Sequence, residues 1–212
     1  MAQAEIIKIA QNRAQIMGIL RTFFSDQDFI EVDTPVLLSA PAPEPHIEAP
    51  AVTIAEPIGH NIRYLQTSPE LPMKRLLGAG LERIFQFAPV FRQGDFSPTH
   101  RPEFRMLEWY RRGEGWQSLI KDCEELLRCS VKNLFGSTKL NYNGQTIELA
   151  TDFRRVTMDE AFQKHAGFSI LDKLEAETLK QTLDELGIHH HPSDTWDDLF
   201  HRVFLEKVEP KL

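Results

Sequence analysis

Between Ile84 and Tyr110 the chain alternates in character at every second residue, and that period leaves few folding options. Gln86, Ala88, Val90 and Arg92 share one parity, and Phe85, Phe87 and Phe91 the other. After a turn-rich loop, Phe104, Met106, Glu108 and Tyr110 alternate with Arg105, Leu107 and Trp109. Residues of one parity share a face in an extended chain. The segment therefore predicts two antiparallel strands. One face is largely aromatic and apolar, and the other carries an arginine, a ring, a carboxylate and a phenol. Such a face has the groups to bind an anion, stack a flat base and hold a cation. The pattern suits a solvated sheet face with ordinary ion pairs equally well.

Upstream, Ile16, Ile19, Leu20 and Phe23 form the stripe of an amphipathic helix over Glu5 to Phe24, fit to pack on a sheet or a partner subunit. Phe29 to Leu37 alternates like a strand broken at Pro35. Ala40 to Pro57, rich in proline and alanine, predicts an extended surface loop, and Tyr64-Leu65-Gln66 a short strand. Thr67-Ser68-Pro69-Glu70 has the composition of a helix start, with the helix running from Leu71 to Ala79 and ending at Gly80. Downstream, Gln117 to Leu134 predicts a helix with Leu119, Cys123, Leu126 and Leu127 as its apolar positions. A hairpin turns at Asn143-Gly144. Helices follow at about 157–165, 172–186 and 195–206, the last with Thr195 and Asp198 at capping-box spacing.

With 212 residues the chain can bury a full core, as one domain or a domain with a helical annex. A formal net charge of −7 argues against a surface built for nonspecific nucleic-acid binding. Arg101, Arg105, Arg111 and Arg112 are a local basic group able to face an anionic ligand or partner, although such charges are more commonly a scattered solvated face. No run has the length of a membrane span and Met1 to Glu5 lacks signal-peptide character, so a cytoplasmic location and no membrane partner are expected. Cys123 and Cys129 read as thiols, and His189-His190-His191 cannot all aim at one metal ion.

Phe91-Arg92, then His100, Pro102-Glu103-Phe104 and Met106-Leu107-Glu108-Trp109-Tyr110 resemble motif 2 of class II aminoacyl-tRNA synthetases of the lysyl type. The likeness is strongest to their short paralogues that attach (R)-β-lysine to elongation factor P. The helix, strand and proline before Leu37 resemble motif 1, and Thr67-Ser68-Pro69-Glu70 resembles the family's substrate-amine loop. The resemblance implies an α+β fold, a class II synthetase-like antiparallel sheet flanked by helices and incomplete at the C-terminus. It divides the partial catalytic domain into a motif 1 region at 1–39, substrate loop and motif 2 at 60–112, and a mainly helical insertion at 113–212.

The resemblance also assigns roles. Arg92 is the catalytic residue, bridging the substrate carboxylate and the α-phosphate of ATP. Phe104 stacks the adenine, and His100, Arg101 and Asp95 complete the ATP contacts. Glu70, with Ser68, holds the α-amino group, while Glu108 and Tyr110 hold the side-chain ammonium of lysine or β-lysine. Magnesium accompanies ATP, elongation factor P is the acceptor, tRNA is the lesser expectation, and motif 1 implies a homodimer. The alternatives are a lysyl-tRNA synthetase catalytic fragment and a catalytically inactive nucleotide- or partner-binding paralogue. Three departures stand out: Gln93-Gly94 follows Arg92 where the family carries a carboxylate, Arg101 replaces asparagine, and Arg105 replaces threonine. No motif 3 follows before Leu212, which suggests a truncated chain, and the start at the motif 1 helix favours the protein-modifying ligase.

Overall fold

The computed structural model describes residues 3–44, 46–55, 57–94 and 96–212. It divides into two compact units, 1–151 and 152–212. The first opens with helix α1 (Gln3–Ser25), followed by strands β1 (Ile30–Glu31), β2 (Leu37–Leu38), β3 (Ala51–Ala55) and β4 (His60–Leu65). Helix α2 (Glu70–Gly78), strands β5 (Arg83–Phe91) and β6 (Glu103–Arg111), helix α3 (Trp116–Phe135) and the hairpin β7 (Lys139–Tyr142) and β8 (Gln145–Glu148) complete it.

β5 and β6 pair antiparallel over nine residues each, with Gln86 opposite Glu108 and Val90 opposite Phe104. β1 adds to β5 in parallel, Ile30 opposite Ile84, so this sheet is mixed, in the order β1-β5-β6. β1 is short, yet the edge of β5 beyond it is not left open. In an antiparallel strand the N–H and C=O of one residue point to the same side. Those of Phe85, Phe87, Pro89 and Phe91 face this edge. Phe85 O accepts from Val32 N, Phe87 O from Arg105 Nη1, Pro89 O from Gln66 Nε2, and Phe91 N donates to Gln66 O. Pro89 lies where β1 has ended, so its missing N–H costs no ladder bond.

One face of this sheet is an aromatic core. Phe85 stacks on Phe24 with ring centroids 4.6 Å apart, and Phe29 meets Phe24 edge-on at 5.1 Å. Phe23 is buried with them, and Phe87, Leu107, Trp109, Leu126 and Cys129 pack against the cluster. Full burial of one such ring stabilises by about 1.5–3 kcal/mol. At its rim, Asp122 of α3 accepts from Trp109 Nε1 at 3.1 Å and from Arg111 Nε and Nη2 at 2.8 and 2.7 Å. The Arg111 guanidinium also covers the Phe29 ring at 4.6 Å. Its bond to Asp122, with the charges of Asp122 and Glu114, raises its pKa against the opposing effect of burial.

Several sequence expectations need correction here. The stretch 40–57 is not all loop: Val52, Thr53 and Ile54 lie in β3, which pairs with β4 in a second sheet ordered β2-β4-β3. Its alternating β-branched residues outweigh the surrounding prolines. In α3, Leu119, Cys123 and Leu127 are exposed, and the buried residues are Asp122, Glu124 and Val131. Polar partners on the sheet override the apolar stripe. Arg111 is structural, and Arg105 reaches a main-chain oxygen across the sheet, so the four arginines do not form one anion patch.

The second unit contains α4 (Met158–His165), α5 (Ala176–Leu186) and α6 (Trp196–Val203) around Phe162, Leu179, Leu183, Leu199 and Val203. Thr157 and Thr195 both close the full capping box, the latter as its spacing with Asp198 predicts. The helix expected from Asp172 starts later, at Ala176, after a 3₁₀ turn over Ile170–Asp172. In the first unit the Asn143-Gly144 turn has φ of 49° and 78°, the left-handed pair that a two-residue hairpin requires. Among the described residues no helix is long and apolar enough to cross a membrane.

Breaking the buried ion pair should be costly, because it strands a charge. Asp122→Ala is expected to lower the unfolding free energy by roughly 3–5 kcal/mol in a denaturant titration. A change below ~1 kcal/mol would show that the pair behaves as an exposed one.

Candidate functional site

The sheet face opposite the aromatic core carries Gln86, Ala88 and Val90 from β5, with Phe104, Met106, Glu108 and Tyr110 from β6. The link from β4 into α2 runs along the same edge, fixed by the two Gln66 bonds to β5. It delivers Thr67, Ser68 and Glu70. Two groups of side chains result.

Glu108 is the centre of the first. Its Oε1 accepts from Ser68 Oγ at 2.5 Å and its Oε2 from Tyr110 Oη at 2.9 Å. Ser68 Oγ also accepts from Glu70 N at 3.0 Å, so one hydroxyl ties the first turn of α2 to the carboxylate on β6. Both donors to Glu108 are neutral. Among the described residues no lysine, arginine or histidine pairs with this half-buried carboxylate. Glu70 is close enough for its charge to act on the Tyr110 phenol, and it forms an ion pair with Lys74 one turn along α2. The Tyr110 pKa is raised far above its ordinary value, first by burial and then by the charge and hydrogen bond of Glu108, with Glu70 adding to it. The phenol therefore stays a donor to Glu108. A half-buried carboxylate held by neutral donors, with a second carboxylate nearby, can accept a ligand with two cationic groups.

Arg92 is the centre of the second group. Its guanidinium lies over the Phe104 ring at 5.3 Å, and Nε makes one long hydrogen bond to Thr67 O at 3.4 Å. No carboxylate is bonded to it among the described residues. An arginine held this loosely, beside a ring, can turn to an anion at little cost while the ring stacks a base. The peptide from Thr67 to Ser68 thus joins the two groups, with its carbonyl on Arg92 and the next side chain on Glu108.

The loop between β5 and β6 holds His100 and Arg101. His100 Nδ1 lies 2.8 Å from Ser97 Oγ and 3.1 Å from Thr99 Oγ1. Arg101 Nη1 donates to Ser97 O and His100 O, and its guanidinium covers Phe96 at 5.6 Å. Asp95 lies outside the described residues. The structure thus gathers Ser68, Glu70, Glu108 and Tyr110, and separately Arg92 and Phe104, while His100 and Arg101 turn to their own loop.

Sequence reasoning missed the buried polar layer behind the site. Gln66, Thr67, Gln86 and Thr34 are all buried, with Thr34 Oγ1 on Gln86 Oε1 at 3.0 Å. Gln66 Oε1, Thr67 Oγ1 and Gln86 Nε2 have no partner among the described residues, which costs about 1–3 kcal/mol each unless a polar group reaches them. Gln86 had a visible signal in its parity with Arg92, and Thr67 in the run that resembles the substrate-amine loop, but neither pattern points to burial. The contribution of Thr67 is a main-chain oxygen, which no side-chain pattern reveals.

The family model for class II tRNA synthetases (D, K and N) matches residues 1–204. A lysine–tRNA ligase of Pelotomaculum thermopropionicum is 32% identical over 210 residues, 98% of this chain and 41% of the relative. One from Pediococcus pentosaceus is 31% identical over 208 residues, 95% of this chain and 40% of the relative. An elongation factor P–(R)-β-lysine ligase homolog of Aquifex aeolicus is 34% identical over 187 residues, 88% of this chain and 57% of the relative. The chain thus spans between 40% and 57% of these relatives' lengths.

The raised Tyr110 pKa gives a pH signature. The folded chain holds this proton more tightly than the unfolded one, so the phenol's contribution to stability is intact below the ordinary tyrosine value of about 10 and is lost as pH rises above it. Alkaline absorbance titration of the native chain should show one fewer tyrosine ionising near that value than the chain in denaturant. In Tyr110→Phe that deficit should vanish. A deficit that persists in the variant would place the protected phenol elsewhere.

Proposed function

Because the chain belongs to the class II tRNA synthetases of the D, K and N type, we propose that its site activates lysine or β-lysine with ATP and passes the aminoacyl group to a lysine of elongation factor P. The observation that carries this reading is Glu108, bonded to Ser68 and Tyr110 and lacking a cation among the described residues. It suits the side-chain ammonium, and Glu70 suits the α-ammonium. The 34% identity to the elongation factor P–(R)-β-lysine ligase homolog supports the acceptor. The lysine–tRNA ligases, matching up to 98% of this chain, support a second reading in which the acceptor is tRNA.

In the reaction proposed, a carboxylate oxygen of the amino acid attacks the α-phosphorus of ATP and the bond to pyrophosphate breaks. Two anions must approach, so a cation between them lowers the barrier where charge develops. Arg92 takes that role, leaving Thr67 O to meet both. Phe104 stacks the adenine, and His100 and Arg101, on the loop between β5 and β6, take the phosphates. In the second step the acceptor amine attacks the carbonyl, AMP leaves, and the amine loses a proton. Magnesium enters as the counter-ion of the phosphates. Among the described residues no three His, Cys, Asp or Glu side chains come together to hold a metal, and no step is assigned to it.

A homodimer through α1 belongs to the same proposal. Ile6, Ile7 and Ile9 are 52–54% exposed, and an open groove of about 480 Å³ runs between Ile9, Ile16 and Leu20 and the sheet residues Phe87 and Leu107. Sedimentation of the chain over a range of concentrations should show mass above the monomer, and a purely monomeric profile would remove the dimer from the proposal.

Amino-acid-dependent pyrophosphate exchange tests the activity, and mass analysis of elongation factor P beside tRNA acylation tests the acceptor. Exchange with lysine or β-lysine followed by a mass gain on elongation factor P is expected. Charged tRNA with unmodified elongation factor P would select the second reading, and ATP binding without exchange an inactive paralogue. Glu108→Gln should weaken binding of lysine roughly ten- to a hundredfold, the worth of a charged hydrogen bond, while norleucine binding changes little. Equal effects on both would remove Glu108 from the pocket.

A further inference from the structure

We propose that Lys74 and Glu70 together form a clamp for the zwitterionic end of the amino acid, with Lys74 taking the carboxylate. This rests on the reading of the site as one for lysine or β-lysine. The two residues lie four apart on α2 and form an ion pair, with side chains 54% and 44% exposed. Taken alone, such a pair on a helix surface contributes only ~0.3–0.5 kcal/mol to stability. Its position gives it more to do. Glu70 stands in the first turn of α2, its N–H on Ser68 Oγ, and its charge reaches the Tyr110 phenol that bonds Glu108. The Lys74 ammonium is therefore held beside a carboxylate whose charge reaches the Tyr110 phenol on Glu108.

A ligand ammonium arriving at Glu70 competes with Lys74 for the same oxygens. An amino acid carries a carboxylate beside that ammonium, on the same carbon in lysine and one carbon further in β-lysine. Exchange of partners then leaves no charge unpaired: ligand ammonium on Glu70, ligand carboxylate on Lys74. The exposed, four-carbon side chain of Lys74 can make the short movement this requires. In the empty site Lys74 also offsets the repulsion between Glu70 and Glu108. A diamine without a carboxylate gains nothing from Lys74 and must still displace it. The clamp thus favours amino acids over simple diamines at a position where Glu70 and Glu108 alone would accept either.

Lysine and 1,5-diaminopentane, which differ by the carboxylate alone, separate this role from a structural one. Calorimetric titration of both ligands into the full chain, wild type, Lys74→Met and Lys74→Arg, gives the ratio of their dissociation constants in each protein. Wild type should prefer lysine. Lys74→Met should lose about tenfold or more in lysine affinity, as expected for a charge-assisted bond, while binding the diamine as well as wild type or better. Lys74→Arg should keep most of the preference. Equal changes for the two ligands in Lys74→Met would reduce Lys74 to a support for α2 and overturn the clamp. No change for either ligand in that variant would leave the carboxylate to Arg92 alone and overturn it equally. A wild-type chain that binds the diamine and lysine alike would also overturn it, whereas one that binds neither would remove the underlying reading of the site as well.

Discussion

The antiparallel register of β5 and β6 is the constraint on which the rest of the structure depends. With Gln86 opposite Glu108, the rings of Phe85, Phe87 and Trp109 fall on the face that packs with Phe24 of α1 and with α3. A slip of one residue in β6 would send Glu108 and Tyr110 toward Phe24 and bring Trp109 to the opposite face. Two devices oppose that slip. Asp122 grips Trp109 and Arg111, two residues of β6 that share the core-facing parity. Gln66 grips β5 at Pro89 and Phe91. The first fixes β6 to a helix, and the second fixes the link between β4 and α2 to β5.

That second attachment turns a sheet into a site. The loop's Thr67 and Ser68 follow directly after Gln66, so their distance from β5 is set by bonds that do not involve any ligand. Arg92 and Glu108 then receive one contact each from consecutive residues. The electrostatic arrangement follows from this economy of contacts. Arg92 meets a carbonyl and a ring, and Glu108 meets two hydroxyls, so each charge is oriented without being neutralised. Both remain able to pair with a ligand of opposite charge in a partly water-excluded place, where such pairs are stronger than in bulk solvent.

Much of this was legible in the sequence wherever periodicity decided the outcome. The parity of Phe85 and Phe87 against Gln86 and Arg92 predicts the two faces, Asn143-Gly144 predicts its hairpin, and Thr195 with Asp198 its helix cap. The errors arose where a long-range partner outweighed a local pattern. Asp122 carries no signal of its own in the sequence, and its burial comes from Trp109 and Arg111. Of the apolar stripe Leu119, Cys123, Leu126 and Leu127, Leu126 packs against the core while the other three are exposed, because the sheet meets the neighbouring face of α3. Val52 to Ile54 were hidden among prolines, and only β4 makes them a strand. In the site itself, the residue types of Glu70, Ser68, Glu108 and Tyr110 were visible together with the resemblance they carry. Their bonds were not, because the Ser68 to Glu108 contact spans 40 positions of chain.

In the proposed reading, Glu108, oriented by Ser68 and Tyr110, receives the side-chain ammonium of a lysine-like ligand. A crystal structure of the chain soaked with lysine tests it most directly. The terminal nitrogen should lie within hydrogen-bond distance of a Glu108 oxygen, about 2.7–2.9 Å, with Ser68 and Tyr110 still on the carboxylate and the α-nitrogen turned toward Glu70. Lysine bound in the reverse sense, or away from Glu108 with that carboxylate still bonded only to its two hydroxyls, would contradict it.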